Sequence, residues 1–235
     1  MRLKFVLPCF ALAGALITPL NVEAQDRGPR LRVIPSVSSY QPLGKLAYSR
    51  GGPGEPESAP EWLQMGAGYA VGLAVEAPVP GLHFLGIRGG VKHAFGSRLA
   101  TGSYVGTTAC GEHCAEARYE RTEVSDASLT VASTDLTLRP APGSWLAQPY
   151  LLTGIGWRSR NLDYGSIPDG SVVDEARERS SQWIPHFGVG IEVPVRSATV
   201  ALETDIYGAL QRNEAAIQGG SSGDAFLSLG VRIGL

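Results

Sequence analysis

The sequence predicts an all-β protein, an eight-stranded antiparallel up-and-down β-barrel that crosses a membrane with its strands. Eight segments alternate apolar residues with small or polar ones, at the period of two that a strand imposes. Long polar connections between these segments alternate with short turns. Only 18% of the residues are charged and 30 are glycine, which suits strands and turns better than a helical bundle.

The eight predicted strands share one pattern, in which one face is apolar and the other is small, polar or charged. The last strand shows it most plainly, because Leu227, Leu229 and Val231 alternate with Ser228 and Gly230. In that strand an unbroken apolar face indicates contact with lipid. The predicted strands cover residues 31–40, 62–75, 82–95, 129–138, 148–157, 182–193, 198–210 and 224–235.

The connections differ in length in a regular way. The first, third, fifth and seventh are polar loops (43–61, 96–126, 159–181 and 211–223), whereas the others are short turns (76–81, 139–144 and 194–197). A soluble barrel has no physical reason to place all its long loops at one end. An outer-membrane barrel has short turns on the periplasmic side and long loops outside. The sequence therefore predicts location in the outer membrane.

Residues 1–24 are predicted to be a secretory signal peptide, which leaves 25–235 as the barrel. Arg2 and Lys4 precede an apolar run over 5–20, and a small-residue site ends at Ala24, after which we expect cleavage. No later stretch reaches the roughly 18 apolar residues of a membrane-spanning helix. Export predicts an oxidising compartment.

Two cysteines of the predicted mature chain, Cys110 and Cys114, lie close together in the loop 96–126. In an oxidising compartment the favoured interpretation is a short disulfide. His113 between them allows a metal site as the alternative. Two cysteines and one histidine supply only three ligands, however, and no second ligand cluster follows. We therefore predict a disulfide, no metal and no cofactor.

The predicted inner face carries charges of both signs. Because eight strands leave room for side chains and little more, these charges must pair inside the barrel. The sequence predicts a lumen plugged by an ion-pair network centred on Arg88, Glu203, Asp205 and Arg232, with Arg232 bound to Glu203 or Asp205. The full predicted set is Arg32, Arg88, Lys92, Asp135, Glu192, Glu203, Asp205 and Arg232.

The sequence contains no recognisable catalytic constellation, and we predict that the protein is not an enzyme. His186 lies on the predicted inner face near Glu192, but no serine stands at a spacing that would form a nucleophile–base pair on the same strand. No phosphate-binding loop follows a strand. The net charge of −2 offers no basic face, so nucleic acid is not expected as a partner.

Three stretches resemble the small eight-stranded outer-membrane β-barrels of the OmpA transmembrane-domain and OmpX type. They are 149–156 (PYLLTGIG), 187–195 (FGVGIEVPV) with 201–203 (ALE), and 226–235 (FLSLGVRIGL). They are similar to the aromatic–Gly–x–Gly strands and Gly–x–Glu hairpins of that family. The family usually ends in an aromatic residue, whereas this chain has Leu235 at that position.

The resemblance implies a structural or surface-interaction protein whose long loops meet an extracellular ligand. It also implies outer-membrane lipid and the barrel-assembly machinery, which reads the C-terminal strand, as partners. The alternatives are a narrow pore or small-solute transporter, a soluble lipocalin-like binder, and an enzyme similar to the lipid A deacylases. Those enzymes carry a His/Ser pair on one strand, whereas Gly188 follows His186 by two residues here.

Overall fold

The computed structural model describes residues 31–48, 62–105, 118–140, 146–165, 167, 171–178, 180–195, 198–208 and 223–235. Within these ranges the chain forms ten strands and one helix. They are β1 (Arg32–Leu43), β2 (Ala47–Tyr48), β3 (Trp62–Met65), β4 (Gly68–Val79), β5 (Leu82–Val105), β6 (Arg118–Leu138), β7 (Gln148–Leu162), α1 (Ser171–Glu178), β8 (Ser181–Val195), β9 (Ala198–Tyr207) and β10 (Gly223–Gly234).

Eight of the strands close into a barrel, as the sequence predicts. They are hydrogen-bonded in the order β5-β4-β1-β10-β9-β8-β7-β6, and β6 pairs again with β5. Every pairing is antiparallel. The short strands β2 and β3 lie outside this ring and extend the wall beside the distal part of β5. We call the end at which β4 turns into β5 at residues 80–81, and at which Val195 pairs with Ala198, the turn end, and the opposite end the loop end.

The strand registers fix the width of the barrel. Following the pairs from Val37 through β4, β5, β6 and β7 leads to Ser181 on β8. Following them the other way, through β10 and β9, leads to Ile191 on β8, ten residues further along that strand. Eight strands with a shear of ten tilt by roughly 40° and form a backbone cylinder roughly 16 Å across. Such a lumen holds side chains and little else.

The outward side chains form an apolar band around the barrel. Register and tilt place the band over a height of roughly 25 Å, from Val193 near the turn end to Phe95 near the loop end. The exposed rings of Tyr69, Phe95, Trp157 and Trp183 lie within roughly 4 Å of one height and mark its upper margin. Beyond that margin the outward positions on β6 and β7 are polar, including Ser128 and Asn161.

The interior changes character at the same height. At the loop end it is apolar, because α1 buries Val172, Val173 and Ala176 against a cluster that includes Leu63 and Leu129. No helix among the described residues has the length and apolar run needed to cross a membrane. Within the band, by contrast, the interior is charged. The wall is therefore apolar outside and charged inside up to the aromatic margin, and mainly polar outside and mainly apolar inside beyond it, with the buried Arg160 as an exception.

The loop end contains more regular structure than the sequence predicts. The predicted loop 96–126 holds the upper parts of β5 and β6, the predicted loop 159–181 holds α1, and the predicted loop 43–61 holds β2. The predicted strand 62–75 is interrupted at residues 66–67, and Leu63 and Met65 face the interior. These predictions are wrong because the apolar residues of the loop end face inwards, whereas the apolar residues of the band face outwards.

In the predicted strand 129–138, the alternation puts Leu129 and Val131 on the opposite face from Leu136 and Leu138. The structure contains no bulge near Ser133 that would bring them to one face. The register of β6 against β5 is continuous from Leu138 to Leu129. Leu129 and Val131 simply point into the loop-end core. The signal peptide 1–24 and the Cys110–Cys114 disulfide lie outside the described residues and stay predictions.

We predict that Leu129→Ala lowers the free energy of unfolding by about 2–5 kcal/mol, because it opens a cavity in a fully buried core. Ser128→Ala is the matched control: it is the adjacent residue on the outward face, and its change should stay within about 0.5 kcal/mol. Urea unfolding of the refolded protein in detergent measures both. Equal, small effects would show that the loop-end core is not packed as described.

Candidate functional site

The candidate site is the lumen, because every barrel strand contributes buried polar or charged side chains to it. Alternation along each strand directs these residues inwards. They form three groups, which we call the turn-end tier, the middle tier and the loop-end tier. The buried acidic and basic side chains are Glu76, Arg88, Lys92, Asp135, Arg158, Arg160, His186, Glu192, Glu203, Asp205, Asp224 and Arg232.

In the turn-end tier two arginines hold two carboxylates. Arg232 Nη1 lies 2.9 Å from an oxygen of Glu76 and 2.9 Å from one of Glu192. Arg139 Nη2 donates to Glu76 at 2.6 Å and lies 3.0 Å from Glu192. The guanidinium of Arg232 also covers the ring of Tyr150, 4.5 Å from its centroid. Each carboxylate thus contacts both cations, so neither charge is buried alone.

The middle tier is built around Glu203. Both terminal nitrogens of Arg88 donate to its carboxylate, which is the bidentate geometry of a strong charge-assisted pair. The Tyr150 hydroxyl donates to the same carboxylate at 2.8 Å. Lys92 Nζ donates to Glu203 at 3.4 Å and also to Asp205. Lys92 Nζ donates to the Ser228 hydroxyl on β10 as well, at 2.8 Å. The middle tier therefore joins four strands, β5, β7, β9 and β10.

His186 extends the middle tier between two aspartates. Its Nδ1 lies 2.6 Å from Asp135 and its Nε2 lies 3.1 Å from Asp205. An ionised carboxylate only accepts hydrogen bonds, so both ring nitrogens can bond only if the ring carries both protons. The geometry therefore favours the imidazolium form as a further buried cation. The ring stacks on Tyr207 with centroids 4.0 Å apart and planes inclined by 3°.

The loop-end tier is centred on Asp224, which is fully buried. One carboxylate oxygen accepts from Arg158 at 2.8 Å and from Arg160 at 2.9 Å, and the other accepts from the Tyr40 hydroxyl at 2.8 Å. The ring of Phe226 packs against Tyr40, with centroids 5.3 Å apart. Aromatic rings therefore separate this tier from the middle tier, and the apolar core under α1 covers it.

The charged groups of the lumen bind one another instead of facing an open water channel. Among Arg88, Lys92 and His186 lies a void of about 10 Å³, the lower limit for a single water molecule. Among the described residues no group of three or more His, Cys, Asp or Glu side chains is arranged to hold a metal ion. Chemically, the arrangement neutralises and immobilises charge across the thickness of the apolar band.

The structure places seven of the eight predicted inner-face charges in the buried lumen: Arg88, Lys92, Asp135, Glu192, Glu203, Asp205 and Arg232. Arg32 lies at the turn-end rim, 3.5 Å from Glu76, with 40% of its side chain exposed. The predicted partner of Arg232 is wrong. Arg232 pairs in register with Thr199, four residues from Glu203 on β9, so it lies in a different tier and binds Glu76 and Glu192.

Apart from His186, which the sequence places on the inner face but not in the network, five acidic or basic residues of the tiers fall outside the predicted network. They share a cause, because each lies near or beyond the end of a predicted strand. Continuing the pattern of inward residues at every second position past the predicted strand ends would have found them. Glu76 continues the inward series of Gly72 and Ala74, and Arg160 continues that of Gly154 and Gly156. The five are Glu76, Arg139, Arg158, Arg160 and Asp224.

The fold is similar to those of solved small outer-membrane barrels. No family model matches the sequence, and no curated protein matches it. Neisserial surface protein A is 13% identical, with 87% of this chain and 97% of that chain covered and a TM-score of 0.43. Ail, the attachment invasion locus protein of Yersinia pestis, is 13% identical, with 87% and 99% covered and a TM-score of 0.40. Ail has also been solved in complex with the heparin analogue sucrose octasulfate, and that structure has a TM-score of 0.36.

We predict that Asp224→Asn lowers the free energy of unfolding by about 3–5 kcal/mol, because Arg158 and Arg160 lose a shared, fully buried carboxylate. Asp174→Asn is the matched control: Asp174 is exposed and pairs with Arg177 at 3.5 Å, so about 0–1 kcal/mol is expected. Urea titrations of the two variants measure the difference. A small change in the free energy of unfolding for Asp224→Asn would contradict the stabilising role assigned to the loop-end tier.

Proposed function

We propose that the protein is an outer-membrane β-barrel with a plugged lumen, which acts as a structural and surface-interaction protein through its loop end. The observation that carries this proposal is the apolar band. Its height of roughly 25 Å matches the outward apolar band of transmembrane barrels, and exposed aromatic rings bound it as an interfacial girdle would.

A soluble barrel accounts poorly for this surface. Side chains such as Val37, Phe187 and Leu202 are about half exposed to solvent or more, and they are continuous around the wall. Soluble monomers rarely expose contiguous apolar patches larger than a few hundred Å². The change of interior character supports the same conclusion, because only the segment beyond the aromatic margin has the apolar-inside, polar-outside pattern of a water-soluble domain.

The lumen supports a plugged barrel over a pore. Three tiers of paired charges and a helix-covered apolar core follow one another along its axis. A conducting path would require several of these pairs to separate, and each unpaired buried charge costs several kcal/mol. We therefore place the function at the surface, and export through the signal peptide 1–24 is part of the proposal.

The loop end supplies a surface suited to a partner. β6 pairs with β5 as far as Arg118 and Val105, whereas its pairing with β7 begins only at Ala127. The β5–β6 pair therefore projects beyond the barrel wall, and β3 and β2 widen it on the β5 side. The projecting sheet is anchored in a rigid barrel, so its far end lies away from the membrane, where an extracellular ligand can reach it.

Tryptophan quenching tests the membrane location. We predict that a variant keeping only Trp183 is strongly quenched by phospholipid brominated near the headgroup, because Trp183 lies at the aromatic margin and is 69% exposed. A variant keeping only Trp62, which lies beyond the margin next to Lys45, should be quenched little. Equal quenching of both, or of neither, would contradict the proposed position of the bilayer.

Conductance tests the plugged lumen. We predict that the folded protein in planar bilayers forms no stable large channel, because charged pairs span the lumen. The protein is delivered to the bilayer in proteoliposomes, and a sample of these proteoliposomes is run on a denaturing gel as the control for folding and insertion. Folded protein should migrate faster unboiled than boiled. A stable large channel from folded protein would favour the pore alternative.

A further inference from the structure

The outer wall of the barrel carries a groove of about 500 Å³ within the apolar band. It runs between two rows of outward side chains that follow the hydrogen-bonded pairs across the strands. One row is Leu85, Leu138, Leu151, Val189 and Thr204, and the other is Leu136, Thr153, Phe187 and Ile206. The rows cross β5 to β9, so the groove is roughly 19 Å long and roughly 7 Å wide from row to row.

The lining decides the chemical class of the occupant. Apart from the hydroxyls of Thr153 and Thr204, the outward side chains are aliphatic or aromatic, so a headgroup or an extended peptide would leave its polar groups without partners. A helix of another protein is roughly 10 Å across, too wide to sit between the rows. A single extended hydrocarbon chain fits the width, the length and the apolar lining.

The height of the groove decides the leaflet. Register and tilt place Leu85 near the lower edge of the band and Ile206, the highest lining residue, roughly 5 Å above its middle. The groove therefore lies mainly in the half of the band nearer the turn end. Its length is more than half of a hydrocarbon core of about 30 Å, which is the reach of a chain from one leaflet.

We propose that this groove is a specific binding site for one acyl chain of a phospholipid from the turn-side leaflet. The inference rests on the proposed membrane location and goes beyond it, because it distinguishes one site from the rest of the lipid-facing wall. Thr153 and Thr204 are the specificity-determining positions, since their short side chains leave space between longer neighbours such as Leu151 and Phe187.

The test uses variants that fill the groove. Thr153→Phe and Thr204→Phe place a ring between the rows, whereas Thr134→Phe adds the same ring to an exposed outward position at nearly the same height but outside the lining. Each protein is extracted from membranes in a mild non-ionic detergent, and native mass spectrometry counts and identifies the retained lipid. Unboiled and boiled gel mobility reports folding, so either groove variant can decide if the other fails to fold.

We expect the wild type to retain one phospholipid per chain, Thr153→Phe and Thr204→Phe to lower this occupancy roughly tenfold, and Thr134→Phe to leave it unchanged. A folded wild type without retained phospholipid, an unchanged occupancy in a folded groove variant, an equal loss with Thr134→Phe, or bound lipopolysaccharide in place of phospholipid would each overturn the inference. Absence of the wild type from the membrane fraction would instead overturn the proposed function.

Discussion

A lumen only wide enough for side chains is the constraint on which the rest of the structure depends. Eight strands with a shear of ten leave no room to hydrate a row of charges, so each inward charge needs an opposite charge within reach. The tiers show how this is met. Carboxylates such as Glu76 and Glu203 each contact two or more cations, and the cations come from strands that are distant in the chain. The charges can therefore pair completely only in the closed barrel.

The surroundings of a strand change along its length, although the alternation of its side chains does not. On β6, Asp135 and Thr137 point into the charged lumen, and Leu129 and Val131, on the same face, point into the apolar core under α1. On the other face, Leu136 lies in the apolar band and Ser128 beyond it. The reversal occurs close to the height of Trp157 and Trp183, so the continuous strands β6 and β7 exchange their apolar and polar faces at one level.

The fold could be predicted because that alternation is visible within the band, where the outward residues are apolar. The strand count, the antiparallel up-and-down order and the inward direction of Arg88 and Glu203 all follow from it. The partner of Arg232 could not be predicted, because it depends on registers that one sequence does not reveal: Arg232 pairs with Thr199 and lies level with Glu192. The helix α1 was missed because its buried positions are recognised only once the interior beyond the margin is known to be apolar.

The charged interior also specifies which face of each strand points inwards. A buried ion pair is often no more stabilising than apolar residues of similar volume, so stability alone does not explain six buried carboxylates. With the barrel in a bilayer as proposed, a slip of one residue in register would turn an entire strand around and place its charges in hydrocarbon. For β9 that would expose Glu203 and Asp205 to lipid, and for β5 it would expose Arg88 and Lys92, at about 2–4 kcal/mol for each basic residue near the bilayer centre. An apolar lumen would carry no such penalty, because both faces would then tolerate lipid. The ion-pair tiers therefore disfavour misregistered barrels in addition to pairing the buried charges of the correct one.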